Sequence, residues 1–362
     1  MIYLSNFQVI RPPHESSQQA TLDWLIAAHT EAERQVKDCP VHVGSFEESI
    51  RERLLRVGCK PNTIFARGHI TEDYLHRDWP KMEIPFASLA ARMKRFDQHA
   101  DQVLEAFYES GSAPDDLIHT TCTGYLAPSA AQKLVSKKNW SDTTITHAYH
   151  MGCYAALPSI RLAKGFLLSE AGKTRADIVH TEMCSLHVNP ALHRLDALVS
   201  QSLFADGFIK YSATKQIPQQ GLLLQSQREE IIPGSTGAMT WNLADWGFEM
   251  SLAKEVPVLI ARSLPQFVQK LGAGPQTYFA VHPGGPRILA NIQDILNLSS
   301  EQLRHSFDIL SRYGNMSSAT LPHIWKAILE DETIPDGASI ISLAFGPGLT
   351  LCGLSLVKVC GG

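Results

Sequence analysis

Neither an excess of one charge nor a long apolar run is present in this chain of 362 residues. Its 32 basic and 36 acidic residues give a formal net charge of −4. That balance offers no basic footprint for nucleic acid, so we expect no nucleic-acid partner. No apolar run approaches the roughly 18 residues that a membrane-spanning helix needs. The N-terminus lacks a basic region followed by an apolar segment, so we expect no signal peptide and no transmembrane segment.

Disulfide and metal-binding patterns are also missing. The seven cysteines are scattered and odd in number and include no C-x-x-C pair, which argues against a disulfide framework or a zinc site. The 15 histidines include no H-E-x-x-H motif, so no metal is expected. These absences favour a reducing compartment, and a cytoplasmic enzyme is the default interpretation.

The chain does contain strand-like segments that alternate with helix-like ones. Residues 2–10 and 338–345 have the β-branched and apolar composition of strands, whereas residues 195–204 and 256–271 have helical spacing of apolar positions. Such alternation is typical of an α/β fold with mainly parallel sheets.

A change of composition suggests two halves. Between residues 214 and 240 Gln, Ser, Gly and Pro dominate, so we place a boundary there and predict an N-terminal half, 1–213, and a C-terminal half, 214–362. Each half has an F-x-x-G segment before a predicted strand, at 204–207 and 345–348. This repetition is a weak indication of duplication.

One stretch predicts a reactive thiol. Residues 144–149 (TITHAY) have strand composition, and helical spacing begins after Tyr154. Gly152 permits a tight turn between them, so Cys153 is expected in the first turn of the helix. The positive end of the helix dipole favours a thiolate there. Taken alone, the stretch is equally compatible with a small buried hydrophobic cysteine.

A cysteine nucleophile needs a base and hydrogen-bond donors for a developing oxyanion. His282 ends an apolar strand and enters the turn 283–286 (PGGP), and Asn315 follows Gly314 just before a helix. An imidazole and a carboxamide placed at such ends could converge on one thiol. Each could instead be structural, Asn315 as a helix cap. Three such turns in one chain favour a Cys/His/Asn site.

Five segments in this order resemble the chalcone synthase-like type III polyketide synthases of the thiolase superfamily. They are GCYAALPSIRLAKG (152–165), LDALVSQSLFADG (195–207), HPGGPRIL (282–289), YGNMSSAT (313–320) and FGPGLTLCGL (345–354). The resemblance implies a thiolase-like αβαβα layered α/β fold with two pseudo-repeated halves, and a homodimer. It implies CoA thioesters as substrates, with no cofactor besides them.

The resemblance also implies roles for the three residues. Cys153 falls on the family's nucleophile, which takes a starter acyl group from an acyl-CoA. His282 and Asn315 fall on the residues that assist decarboxylation of malonyl-CoA and hold the enolate and the thioester oxygen. The extended chain would then cyclise to a pyrone or resorcinol-type product.

Other positions fall on the family's substrate cavity. Phe204 falls on one gatekeeper phenylalanine, whereas Met250 stands at the second gatekeeper position and Trp241 at that of a cavity-shaping glycine. The remaining expected cavity residues are Cys122, Thr123 and His187. Cys122 and the segment 182–187 resemble the corresponding positions of bacterial alkylpyrone and alkylresorcinol synthases.

Arg53, Arg56 and Lys60 are the basic candidates for contacts with CoA phosphates, although such a run can be a solvated helix face.

Two other functions stay open. The first is a single-condensation ketoacyl synthase of the same superfamily. The HPGG turn at residues 282–285, where those enzymes have an HQAN-like turn, argues against it. A catalytically inactive binding protein on this fold is the other, and the presence of Cys153, His282 and Asn315 together argues against that.

Overall fold

The main β-sheet is mixed, and most of its strand pairs in the described residues are antiparallel, so the expectation of mainly parallel sheets was wrong. The computed structural model describes residues 1–37, 40–79, 82 and 87–360, so Cys39 lies outside the described residues. The strands in this part of the chain are β1 (Tyr3–Ile10), β2 (His14–Ser17), β3 (Ala66–His69), β4 (Asp116–Thr121), β5 (Thr144–Tyr149), β6 (Arg175–Met183), β7 (Asp206–Thr214), β8 (Gln220–Ile231), β9 (Met239–Ala244), β10 (Gly247–Leu252), β11 (Tyr278–Val281), β12 (Ser339–Gly346) and β13 (Thr350–Cys360). The helices are α1 (Gln18–Lys37), α2 (Pro40–Val57), α3 (Leu89–Phe107), α4 (Ala130–Lys137), α5 (Ala156–Ser169), α6 (Leu195–Leu203), α7 (Val256–Lys270), α8 (Pro286–Ile295), α9 (Ser300–Tyr313) and α10 (Thr320–Glu330).

Local sequence explains where the helices near the site begin. Ser129 and Ser299 each cap a helix, α4 and α9, through a reciprocal capping box with the glutamine three residues on. Helix α8 begins at Pro286, whose missing N–H is no loss at a first helical position. Gly285 before it has φ 143°, a conformation that favours glycine. The PGGP turn therefore ends β11 and starts α8 within a few residues of His282.

The sheet repeats one pairing pattern. Its strand order is β11-β12-β13-β8-β1-β7-β6-β4-β5 among the described residues. In the first half β4 is parallel to β6, β6 antiparallel to β7, and β7 antiparallel to β1. In the second half β11 is parallel to β12, β12 antiparallel to β13, and β13 antiparallel to β8. The two F-x-x-G segments lead into β7 and β13, which hold equivalent places, so the topology contains two pseudo-repeated halves.

Helices α5 and α10 lie between the two sets of strands. Their apolar residues share one core with strand residues of both halves, including Ile178 of β6 and Leu354 of β13. A second core packs α7, α8 and α9 against the outer face of the second half, and a third packs α3 and α4 against the first. The order helix, sheet, helix, sheet, helix is the predicted layered arrangement.

The halves join through a short pairing of β1 with β8, at Tyr3↔Leu223 and Leu4↔Leu222. The predicted boundary between residues 213 and 214 falls at the end of β7, and it stays a prediction. The composition change that suggested it does not mark an irregular linker, because much of that region forms β8. None of the helices in the described ranges is long and apolar enough to cross a membrane.

Candidate active site

Cys153 lies in the turn between β5 and α5. Helix α5 begins at Ala156, so the thiol precedes the helix and does not lie in its first turn as expected. Gly152 has φ 79°, and a Cβ there would collide with the ring of Pro347. Glycine is thus required both by the backbone conformation and by the approach of the 345–348 turn from the other half. This close contact leaves Cys153 only 9% exposed.

Asn315 belongs to the second half, and its backbone is bonded to the segment around Phe204 of the first half. Its N–H donates to Leu203 O (3.0 Å), and its own carbonyl accepts from Ala205 N (2.8 Å). Its side-chain Oδ1 accepts from Ser317 N at 2.9 Å, which leaves the amide N–H groups free to donate. The side chains of Ser317 and Asn315 lie close enough to the Cys153 thiol to lower its pKa as hydrogen-bonding groups.

His282 lies at the carboxyl end of β11, where its backbone N–H donates to Leu343 O at 2.8 Å. The side chain is buried, and both ring nitrogens lack a hydrogen-bond partner within the described chain. Burial without a partner lowers the pKa of His282 to about 3, so the imidazole is neutral. A buried imidazole with two unpartnered nitrogens is costly for folding, which suggests that a ligand supplies the partners.

Burial also keeps Cys153 as a thiol. Removal from water raises the pKa of Cys153 to about 12, because the thiolate is the poorly solvated form. The hydrogen bonds from Ser317 and Asn315 oppose this shift, and the negative charge of Glu182 adds to it. At rest Cys153 is therefore a thiol, just as His282 is a neutral imidazole.

A cavity of about 70 Å³ adjoins Cys153. All of the residues expected to shape the substrate cavity lie on its wall, namely Cys122, Thr123, His187, Phe204, Trp241 and Met250. His282 and Asn315 are not part of this wall. Trp241 and Met250 are cross-strand neighbours, paired in the β9–β10 hairpin.

Aromatic rings close one side of the cavity. His187 stacks on Phe248 with ring centroids 4.4 Å apart, and Trp241 meets both rings edge-on. His187 Nδ1 accepts from Phe248 N (3.0 Å), so Nε2 carries the proton that bonds Thr123 O at 2.8 Å. Burial lowers the pKa of His187 to about 3. The indole Nε1–H of Trp241 donates to Cys122 O at 2.7 Å, which fixes the ring across the cavity.

The basic candidates lie away from this cavity wall. Arg53 is half-buried and donates to His193 O at 3.1 Å, whereas Arg56 and Lys60 are exposed at the end of α2 and just beyond it. Arg287, which was not among the predicted basic residues, is an exposed cation at the start of α8, and its charge acts on the neighbouring Cys59 thiol. Its position beside the PGGP motif was the available signal.

Glu182 is a second residue that the sequence analysis did not single out. Its fully buried carboxylate accepts from Cys122 N (3.0 Å) and Thr123 Oγ1 (2.9 Å), and from the Ser318 hydroxyl. Burial raises the pKa of Glu182, and the hydrogen bonds oppose that shift. Within the described residues, no group of three or more His, Cys, Asp or Glu side chains is placed to hold a metal ion.

Comparisons with known proteins concern the chain as a whole. Residues 223–360 match the family described as chalcone and stilbene synthases, C-terminal domain. The chain is 30% identical over 330 residues to "Probable polyketide synthase 1" of Dictyostelium discoideum, an alignment covering 83% of this chain. The chain spans only 10% of that much longer relative.

Solved structures show the same fold along the whole chain. The C-terminal type III polyketide synthase domain of Steely1, a type I/III hybrid from Dictyostelium, superposes with a TM-score of 0.83 at 23% identity, covering 99% of both chains. PKS-I from the brown alga Ectocarpus siliculosus gives 0.81 at 20% identity, again with 99% of both chains covered. The 1,3,6,8-tetrahydroxynaphthalene synthase of Streptomyces coelicolor A3(2) gives 0.80 at 22% identity, covering 99% of this chain and 100% of that one.

The fold and the thiol at its centre define a thiolase-fold protein, which confirms the predicted fold class. Within that class, residues 223–360 match the C-terminal domain of chalcone and stilbene synthases, and the Dictyostelium relative supports the prediction that the chain is a type III polyketide synthase. The likeness to bacterial alkylpyrone and alkylresorcinol synthases stays a prediction.

Proposed function

We propose that the chain loads an acyl group from an acyl-CoA onto Cys153 and extends it by decarboxylative condensation with malonyl-CoA. The observation that carries this proposal is the meeting of Cys153, from the first half, with the carboxamide of Asn315, from the second. Cyclisation of the bound chain then releases a pyrone or resorcinol-type product. CoA thioesters are the substrates, and no other cofactor takes part.

In the loading step, the Cys153 sulfur attacks the thioester carbonyl, and the C–S bond to CoA breaks. The thiol proton moves to the neutral imidazole of His282 and leaves with the CoA thiolate. A neutral imidazole suits this role because it has one nitrogen able to accept a proton. The unpartnered ring nitrogens of His282 support the assignment.

In the extension step, malonyl-CoA loses CO₂ and its electron pair stays on the α-carbon as an enolate. The N–H groups of His282 and Asn315 donate to the enolate oxygen, in the manner of an oxyanion hole. The enolate carbon then attacks the acyl carbon on Cys153, and the cysteine sulfur leaves. Oδ1 of Asn315 is held by Ser317 N, which orients the donor side of the carboxamide.

The size of the cavity bears on the substrate. A cavity of about 150 Å³ holds a benzene ring, whereas the one beside Cys153 measures about 70 Å³. This difference favours short acyl starters and few extensions. A long alkyl starter needs Trp241 or Met250 to move.

The test is incubation of the full chain with malonyl-CoA and a panel of acyl-CoA starters, with product masses as the readout. We expect products that carry two or more added two-carbon units, and none from Cys153→Ala. A single added unit in every product would instead indicate a ketoacyl synthase. Normal turnover by Cys153→Ala would contradict the proposal, and failure of Cys153 to take any acyl label would point to an inactive binding protein.

We further propose that two copies of the chain associate and that the protein acts in the cytoplasm. Strand β5 lies at one edge of the sheet, and Tyr125 beside it is 60% exposed although large and apolar. An open strand edge next to an exposed aromatic ring is a surface that proteins usually cover. Sedimentation at micromolar concentration should give twice the chain mass, and a monomer would contradict the association.

The phosphates of the CoA substrates would meet Arg53, Arg56 and Lys60.

A further inference from the structure

Arg67 of β3 is a buried cation with an unusual set of partners. It is 4% exposed, and its Nη1 donates to two backbone carbonyls, Gln201 O (2.8 Å) and Phe204 O (2.6 Å). Those carbonyls belong to the last turn of α6 and the residue that caps it. The end of a helix carries partial negative charge, so a guanidinium there is favourable.

The rest of the guanidinium is not satisfied. Nε and Nη2 of Arg67 are buried and have no hydrogen-bond partner within the described ranges. Asp206, whose charge acts on Arg67, has its carboxylate oxygens bonded by Ile70 N and by Ser185. A buried cation with unpartnered N–H groups is a poor device for stability alone.

The stem of Arg67 contacts the other half of the site. Gly314 has φ 70°, and a Cβ there would lie 3.1 Å from Cγ and Cδ of Arg67 and 3.1 Å from Leu203 O. The next residue is Asn315, whose N–H bonds that same Leu203 O. Arg67 therefore holds the end of α6 from one side and supports the backbone of Gly314 and Asn315 from the other.

We infer that Arg67 is a positioning residue, which holds the carboxamide of Asn315 against Cys153 by clamping the α6 terminus to the Gly314–Asn315 backbone. Its role in turnover rests on the proposed function, since it acts through Asn315. Its effect on the thiol can be measured without that function.

The first experiment measures the alkylation rate of Cys153 by iodoacetamide from pH 7 to 9, followed by peptide mass. Arg67→Met keeps an unbranched apolar stem and removes the guanidinium that forms the clamp. We expect it to slow alkylation several-fold, because the hydrogen bond from Asn315 to the thiolate weakens. In an Asn315→Ala background the same change should have an effect of less than about twofold, since no carboxamide is left to position.

A matched control is Lys358→Met. Lys358 is also a buried cation, and its Nζ donates to Ile328 O (3.2 Å) and Asp331 O (2.7 Å) at the end of α10. This control should leave alkylation of Cys153 unchanged. Three results would each overturn the inference. The alkylation rate could fall equally in Arg67→Met and Lys358→Met, or it could stay unchanged in Arg67→Met. The effects of Arg67→Met and Asn315→Ala on that rate could also be fully additive.

The second experiment follows acetyl-CoA and CO₂ formed from malonyl-CoA. We expect Arg67→Met to lower kcat about tenfold or more with little change in KM, in the manner of a lost hydrogen bond to a charged group. If wild-type protein forms no acetyl-CoA, the proposed function fails while the alkylation result still decides the role of Arg67. If Arg67→Met does not fold, Arg67→Lys takes its place. Its single ammonium group keeps the positive charge but reaches less far than the guanidinium, so it should give the same pattern with smaller losses, and wild-type behaviour would overturn the inference.

Discussion

Replacing Trp241 by alanine should enlarge the range of substrates. The indole closes a cavity of about 70 Å³, and its Nε1–H is bonded to Cys122 O at 2.7 Å, so it cannot swing aside without losing that bond. Met250, its cross-strand neighbour on the hairpin, lines the same cavity. Removing the indole should bring the cavity beyond the roughly 150 Å³ that holds a six-membered ring.

The change has a predictable effect on stability. Loss of the indole leaves the Cys122 carbonyl without its donor, which costs about 1–3 kcal/mol. Truncating a fully buried tryptophan costs about 3–5 kcal/mol, and Trp241 is only half-buried, so packing loss should fall below that range. We therefore expect a total loss of about 2–4 kcal/mol in the free energy of unfolding. A domain of ordinary stability remains folded after such a loss.

The assay compares product masses from starters of increasing chain length. Wild-type protein should favour short starters, and Trp241→Ala should accept longer ones or add at least one more malonyl unit. Trp241→Phe is the matched control, because it loses the N–H group but keeps an aromatic ring in the cavity. If folded Trp241→Ala gives the same starter preference and product masses as wild type, Trp241 does not limit the cavity.

Two further predictions concern pH. The rate of Cys153 alkylation should rise about tenfold per pH unit between pH 7 and 9, because burial raises the pKa of this thiol to about 12; a plateau within that range would show a thiolate already formed at neutral pH. The free energy of unfolding should fall as the pH drops from 7 to 5.5. The buried neutral histidines have pKa values near 3 or 4 in the folded chain and near 6.5 when unfolded. The unfolded state therefore binds more protons over this interval and is favoured as the pH falls. Each histidine contributes a loss of about 1 kcal/mol over this interval. Those concerned are His29, His69, His119, His180, His187, His282 and His323. Urea unfolding at both pH values measures the difference, and equal stability would refute it.

Much of the fold followed from local patterns. Apolar spacing located β1, β12, α6 and α7 within a few residues, because burial of one face imposes a period on a helix or strand. The β9–β10 hairpin was not predicted as strands, and its residues are largely polar or half-buried. Strand β8 was also missed, since its solvent-facing Gln, Ser and Glu residues suggested a boundary.

By itself, the sequence predicted the family and determined which kinds of reactive group the chain carries. A thiol, an imidazole and a carboxamide at three turns depend on residue type and on glycine or proline neighbours, which are local properties. The cavity and its supports depend on partners far apart in the chain. Trp241 bonds a carbonyl 119 residues away, and Arg67 bonds one 137 residues away. Only the packing of the two halves brings these groups together, so the tertiary structure alone decided the size of the cavity, the tautomer of His187 and the clamp behind Asn315.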